Sequence, residues 1–426
     1  MTRLLPWLDR FCLAATLTLP AFYMHGRGIA EVLMALIDAG FLIRCATLRD
    51  WSWLRSIWVK AAAAWWLWLI ICSIPGIGIG GSKSLVQAIV MVRFPLFVAA
   101  LEISVLAAEP ARRWMQRVLA ASTLWIAGQT WLQFTTGSNL GGYPRHGDGE
   151  LTGPFMLPRA AAPLSRLLFP TMLPAIGRLL HAGTRGRIAA AAVAAAGIGT
   201  MVLIGQRMPL LLTGLGLVVS ALMLPRLRRP LLIAMAAGAL LLAATPLISP
   251  PAFYRLVTKF TDQMRNFPDS PYGQIATRAA VITLDHPIFG QGFDGFRNAC
   301  PDPQYHRAWF GAAEDGGGAA VCNIHPHNHY LEAATNSGFP GLILFSALII
   351  AWLTALARNL GPTPDPLRVG LFVTALIQEW PLASASGFSA VEIAGFFFLM
   401  LGYGLALARA ADKTVPISPS QATPIT

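Results

Sequence analysis

Charge is what this 426-residue chain has least of. Only 12% of its residues are Asp, Glu, Lys or Arg, and 55% are apolar. A soluble domain carries about a quarter charged residues, so the shortfall excludes an ordinary water-soluble globule. Apolar runs of roughly 20 residues, the length that crosses a bilayer core, recur along most of the chain. Thirteen Trp suit a protein with two membrane–water interfaces to anchor. The fold class expected is an all-α integral membrane protein.

Other absences exclude chemistry. No Walker A pattern is present, which excludes a P-loop ATPase. A D-x-D pair of the kind that holds a nucleotide diphosphate through metal is missing, and so is an H-E-x-x-H zinc site. Tandem repeats and low-complexity tracts are absent. No cleavable leader is read: the apolar stretch from Leu4 to Met24 is interrupted by Asp9 and Arg10 and followed at once by further spans, so it is expected to be a retained helix. The net charge of +12 would raise nucleic acid as a partner in a soluble protein. Here the Lys/Arg excess of cytoplasmic loops accounts for it, and the partner implied is the lipid bilayer.

Apolar stretches fall at about 4–24, 28–44, 60–75, 84–107, 114–134, 163–181, 187–205, 208–224, 231–249, 338–357, 367–384 and 390–408. About twelve spans put both termini on one side. Alternate connections hold Arg44, Arg49, Arg55 and Lys60, then Arg112, Arg113 and Arg117, then Arg178, Arg185 and Arg187, then Arg226, Arg228 and Arg229, then Arg358 and Arg368. The intervening short turns hold little beyond Arg27, Lys83 and Arg207. By the positive-inside rule the dense set, and both termini, are cytoplasmic. The division expected is 1–249 (spans one to nine), 250–337 (a large periplasmic catalytic loop), 338–410 (spans ten to twelve) and 411–426 (a disordered tail).

Two outside segments are longer than turns, 135–162 and 250–337, and loops of the second length are usually functional or disordered. A helical apolar pattern at Ile275–Leu284 and scattered aromatics predict that the larger one packs. Of five cysteines, Cys12, Cys45 and Cys72 lie in or beside spans, whereas Cys300 and Cys322 share the large loop. A disulfide in an oxidising compartment and two free thiols both fit that pair.

The densest polar constellation is His325-Pro326-His327-Asn328-His329-Tyr330-Leu331-Glu332, just before Asn336-Ser337-Gly338-Phe339-Pro340-Gly341. Histidine is the side chain best suited to proton transfer near neutral pH. A general base is favoured over a polar helix entrance or a metal site, and no metal or other cofactor is expected. Arg207 follows a Gly-Gln turn and precedes Pro209, which fits a helix start; its charge would add to the positive end of a helix dipole, a cradle for phosphate. Interfacial snorkelling is the competing reading. Arg278 opens a helical run of the large loop, where a solvated or ion-paired arginine is nearly as good an account. Arg145, Arg159 and Arg265 are further outside cations. Together they suit an anionic substrate such as a lipid-linked diphosphate, its countercharge supplied by guanidinium forks.

The histidine segment resembles the signature of the O-antigen ligase and polymerase (WaaL/Wzy) superfamily: H-[N/S/Q], nine residues, G-x-x-G, then two threonines. His327-Asn328, residues 329–337 and Gly338-Phe339-Pro340-Gly341 match in order and spacing, while Leu342-Ile343 replaces the threonine pair. Asp285-His286-Pro287 followed by Gly290-Gln291-Gly292-Phe293 resembles the D-H-P…G-x-G stretch of that family. The resemblance implies a GT-C-like membrane glycosyltransferase in the bacterial inner membrane, its site facing the periplasm. Such an enzyme moves a glycan from undecaprenyl diphosphate to a sugar hydroxyl of lipid A–core, with inversion and without metal or nucleotide. Carried over, His327 is the base, Arg207 and Arg278 bind the diphosphate, and His325 or His329 orients the base or the acceptor. Asn328, Gly338 and Gly341 support the motif.

A polymerase that extends the glycan on its lipid, and a ligase acting on protein, share this chemistry and stay open. A transporter is the rival of a different class. Its expected signs are mid-span ionisable residues, for which Asp38, Glu102, Glu379 and Glu392 are candidates, and two-fold internal similarity, which is not visible.

Overall fold

The computed structural model describes residues 4–308, 317–384 and 387–412. The tail expected to be disordered lies outside the described residues from 413 onwards. The chain is helical throughout, with only isolated bridges such as His146–Glu150 among the described residues. Helices α1 (Leu5–His25), α2 (Arg27–Leu48), α3 (Ile57–Cys72), α4 (Gly81–Val90), α5 (Arg93–Ala100) and α6 (Glu109–Thr136) come first. They are followed by α7 (Ala161–Leu179), α8 (Gly183–Ile204), α9 (Arg207–Met223) and α10 (Arg228–Ile248). The large loop carries α11 (Pro250–Phe253), α12 (Lys259–Arg265), α13 (Pro271–Asp285) and α14 (Gly295–Ala299). Finally come α15 (His329–Ala357), α16 (Pro366–Gln378) and α17 (Val391–Asp412).

Every apolar stretch read from the sequence is largely helical; 84–107 is interrupted at Met91–Val92, and 367–384 is helical only to Gln378. Five helical segments among the described residues are long and apolar enough to cross a membrane: Gly81–Val105, Gly183–Ile204, Pro225–Ile248, His329–Ala357 and Ala394–Asp412. Three shorter apolar helices accompany them, Ile57–Cys72, Arg207–Met223 and Pro366–Gln378. This is the build of an integral membrane protein. The segment Ala394–Asp412 is mostly buried in the bundle, whereas Pro225–Ile248 lies mostly at its periphery. At the centre, Phe388 packs on Phe345, Trp352 and Phe398 with ring centroids 5.2–6.5 Å apart. Offset and edge-on pairs of this kind each add about 0.5–1.5 kcal/mol beyond their buried area.

The large loop has a core of its own. Ile275, Ala279 and Ile282 on α13 pack with Phe296, Cys300 and Tyr305. Ser270 starts α13 as its N-cap, its hydroxyl accepting from the Gly273 amide. Cys300 and Cys322 are bonded, with their Cα atoms 5.9 Å apart.

The loop and the bundle are joined backbone to backbone. Helix α15 is broken at Ser337 and Gly338, the latter at φ 64°, ψ −169°, a region open to glycine almost alone. Residues 287–295 run through that break. The amides of Gln291, Gly292 and Phe339 donate to the carbonyls of Thr335 (2.8 Å), Asn336 (2.9 Å) and Pro287 (2.8 Å). A Cβ on Gly338 would stand 2.3 Å from the Ile288 oxygen, and one on Gly290 would stand 2.5 Å from the Ser337 nitrogen. On the other side, the Ile79 amide donates to Gln291 O (3.1 Å) and the Phe293 amide to Ser73 Oγ (2.9 Å). Gly290, Gly292 and Gly338 of the two sequence motifs therefore serve close backbone approach. Gly341 lies within a turn of the break, its face filled by Ser337 and Trp68.

Gly338→Ala is expected to destabilise the protein by at least about 1–3 kcal/mol from backbone strain alone, and by more from the overlap with Ile288. A clear fall in the apparent Tm of purified protein checks this; an unchanged Tm would mean that the break is not needed.

Candidate active site

A cavity of about 1390 Å³ lies between the bundle and the loop. Its walls come from the α1–α2 junction, residues 143–159, the α8–α9 turn, α12, the start of α13, the histidine segment and the α16–α17 connection. Apolar side chains such as Met208, Leu212, Phe260 and Leu342 share it with a group of cations. Leu342, at the position of the first family threonine, gives the wall a methyl surface in place of a hydroxyl.

His327 lines this cavity. Its backbone is left-handed, φ 55°, which is uncommon for a residue with a side chain. Its own amide donates to His325 Nδ1 at 3.2 Å. His325 Nδ1 must therefore lack a proton, so its ring is neutral with the hydrogen on Nε2. Burial, with smaller contributions from His327 and His329, pushes the His325 pKa down to about 4. Burial also lowers that of His327. Tyr272 from α13 covers the His327 ring at 5.5 Å, and the His325 ring meets it edge-on at 4.6 Å. The site thus holds a neutral imidazole at pH 7, the form that accepts a proton.

The neighbours of His327 fix the segment. Asn328 caps α15, its side-chain oxygen accepting from the amides of Tyr330 and Leu331 at 3.0 Å. Its NH2 group donates to Pro381 O at 2.7 Å, tying the segment to the α16–α17 connection. His329 is buried and pairs through Nδ1 with Glu379 Oε2 at 2.9 Å. The three imidazoles therefore serve three different partners. Among the described residues no group of three His, Cys, Asp or Glu side chains converges as a metal cage.

Arg207 is the first residue of α9 and lines the same cavity. Its Nη1 donates to the neutral amide of Gln263. Two further cations expected from the sequence only as part of the loop, Arg255 and Lys259, stand on the same wall but face carboxylates: Glu150 at 2.5 Å and Asp148 at 3.9 Å. Arg159 also lines the cavity, sharing Glu392 with Arg27 at 3.3 and 2.9 Å. Arg166 is a buried cation of the lining, bonded to Gln378 Oε1 at 2.6 Å. Arg207 differs from Arg159, Arg255 and Lys259 in having a neutral partner, so its charge is the least compensated of these four.

Three predicted cations are not brought to this wall. Arg278 is wholly buried in the loop core, where Nη2 donates to Gly318 O (2.8 Å) and Nη1 to Cys322 Sγ (2.9 Å). It supports the disulfide segment instead of lining the cavity. Arg145 donates to Phe134 O at 2.7 Å and lies over the Phe134 ring. Arg265 is exposed at the end of α12. Sequence reading missed Arg255, Lys259, Arg166 and Tyr272. The available signal was the Arg255–Lys259 spacing, which sets two cations one helical turn apart just after the ninth apolar stretch.

The four acidic residues that would suit a transporter resolve differently. Glu379, Glu392 and Glu102 have the cationic or imidazole partners His329, Arg27 with Arg159, and Arg409, while Asp38 is buried between helices.

No curated protein matches the chain. Residues 190–346, which hold Arg207, Arg255, Lys259, Tyr272 and His327, match the family model described as O-antigen ligase (Wzy_C).

Proposed function

We propose that the protein is an O-antigen ligase that transfers a glycan from undecaprenyl diphosphate to a sugar hydroxyl of lipid A–core, at the periplasmic face of the bacterial inner membrane. The observation that carries the reading is a neutral His327, on a left-handed backbone, in one cavity with Arg207 and within the stretch matched by the O-antigen ligase family. A twelve-span bundle with residues 250–337 outside is the topology that fits it.

The acceptor hydroxyl gives its proton to His327 as its oxygen attacks the anomeric carbon. The bond from that carbon to the diphosphate oxygen breaks, and the electron pair leaves with the lipid diphosphate. A single displacement inverts the anomeric centre. Arg207 stabilises the charge gathering on the leaving group, with Arg255 and Lys259 as a more compensated second rank. No metal is required by this scheme. The apolar wall accommodates the first prenyl units, and the enclosing loop limits water, the competing acceptor.

His327→Ala is expected to lower kcat by roughly 10²–10⁴-fold, measured as transfer by purified protein mixed with the lipid-linked glycan and lipid A–core in the presence of chelator. A His327-dependent shift of the core band makes it a ligase; growth of the donor glycan with the core untouched makes it a polymerase. Wild-type transfer by His327→Ala contradicts the base assignment.

Arg207→Gln should cost about 10²-fold or more in kcat, and Arg255→Gln clearly less, because Glu150 already offsets that charge. Equal losses, or a greater loss at Arg255, would overturn the ranking.

Burial disfavours the imidazolium of His327, so its pKa lies below the ordinary 6.5. The neutral base predominates at pH 7 and above and is lost as pH falls through the lowered pKa. The kcat–pH profile should be flat near neutrality, with its acidic midpoint below 6.5; a midpoint at 7 or higher would contradict this environment.

A further inference from the structure

Asn323 has no part in the family signature, yet it touches the reacting ring. Its Nδ2 lies 2.8 Å from His327 Nε2. Which amide atom faces the ring is settled one bond away. Asn323 Oδ1 accepts from the Ile324 amide at 2.7 Å, so the oxygen is engaged and the NH2 group is turned to the imidazole. An NH2 group only donates. His327 Nε2 is therefore the unprotonated nitrogen, and the ring carries its single hydrogen on Nδ1. The lone pair that would accept a proton is already covered.

The chain around Asn323 holds it there. The preceding residue, Cys322, is bonded to Cys300, and Arg278 grips both Cys322 Sγ and Gly318 O. The loop core, not the histidine segment, therefore sets where the Asn323 amide sits. Asn323 is itself exposed, so an entering group can displace its side chain at little packing cost.

We infer that Asn323 is a displaceable cap on the base: it fixes the His327 tautomer with the lone pair on Nε2 and keeps that lone pair from water until an acceptor hydroxyl takes its place. The inference rests on the reading of His327 as base. Its consequence is selectivity for transfer over hydrolysis. In hydrolysis, water attacks the anomeric carbon, its proton goes to Nε2, and the glycan leaves the lipid diphosphate without reaching an acceptor. A water molecule alone must compete with a well-placed amide for Nε2. A sugar hydroxyl, held by the rest of its ring, displaces the amide more readily.

Removing the amide should expose Nε2 by roughly the two- to tenfold that one neutral hydrogen bond represents. The test compares wild type, Asn323→Ala and the near-isosteric Asn323→Asp in the full-length protein. The first readout needs no substrate: the rate at which diethyl pyrocarbonate modifies His327, followed by peptide mass spectrometry with His146 as internal reference. The second is release of free glycan from the donor with no acceptor present, compared with transfer when lipid A–core is added. Asn323→Ala should raise both the labelling rate and acceptor-free hydrolysis by roughly two- to tenfold, with a smaller effect on transfer. Asn323→Asp, which can only accept at that position, should draw the hydrogen to Nε2 and lower transfer while keeping the fold. Unchanged labelling in Asn323→Ala, or wild-type transfer in Asn323→Asp, would overturn the cap. Because labelling is read without donor or acceptor, a failure of the base assignment (transfer independent of His327) is told apart from a failure of the cap.

Discussion

The site depends on one constraint: two stretches of backbone must pass through each other's space where α15 is broken. Residues 287–295 of the loop hydrogen-bond to the carbonyls exposed at Thr335 and Asn336, and Gly338 and Gly290 leave the room. The contacts of Ile79 with Gln291, Ser73 with Phe293, Arg207 with Gln263 and Glu150 with Arg255 add to that junction. With it, the loop core around α13 is fixed relative to the break in α15, eight residues after His329, the first residue of that helix. The histidine segment is the short link between the loop core and α15. Its left-handed residue, His327, is over-determined by the Asn328 cap on one side and the Asn323 contact on the other. Strain of this kind persists only where the surroundings hold it.

Electrostatics then divides labour among similar residues. The cavity wall is rich in cations, but Glu150, Asp148 and Glu392 offset most of them. Arg207 is bonded to a neutral amide and is the first residue of α9, so among Arg159, Arg207, Arg255 and Lys259 it is the cation least offset by a carboxylate. The histidines separate in the same way. His325 accepts a backbone hydrogen bond, His329 is tied to Glu379, and His327 Nε2 meets the Asn323 side chain.

Much of this was legible in the sequence because it rests on periodicity and length. Each of the twelve apolar stretches is largely helical, although 84–107 is interrupted at Met91–Val92 and 367–384 is helical only to Gln378, and the pattern at Ile275–Leu284 is part of α13. The Cys300–Cys322 pair, His327 and Arg207 were also visible, since histidine clustering and an arginine beside a helix-starting proline are local signals. What was not legible is three-dimensional. Arg278 reads as a loop cation, and only the fold shows it buried beneath the disulfide segment. Arg255 and Lys259 read as ordinary loop charges until residues 143–159 bring Glu150 and Asp148 to them. Nor could spacing reveal that Gly338 breaks a helix to admit the backbone of residues 287–295. A single asparagine in a polar loop, such as Asn323, has no local signature.

The central claim is that His327 and Arg207 act on opposite sides of one glycosyl–diphosphate bond. The most direct measurement is a structure of the protein bound to a non-transferable phosphonate analogue of the lipid-linked donor. The account predicts a diphosphate group hydrogen-bonded to Arg207, with the anomeric carbon between it and the His327 ring. A diphosphate seated elsewhere, with no contact to Arg207 and no line of approach from His327, would contradict it.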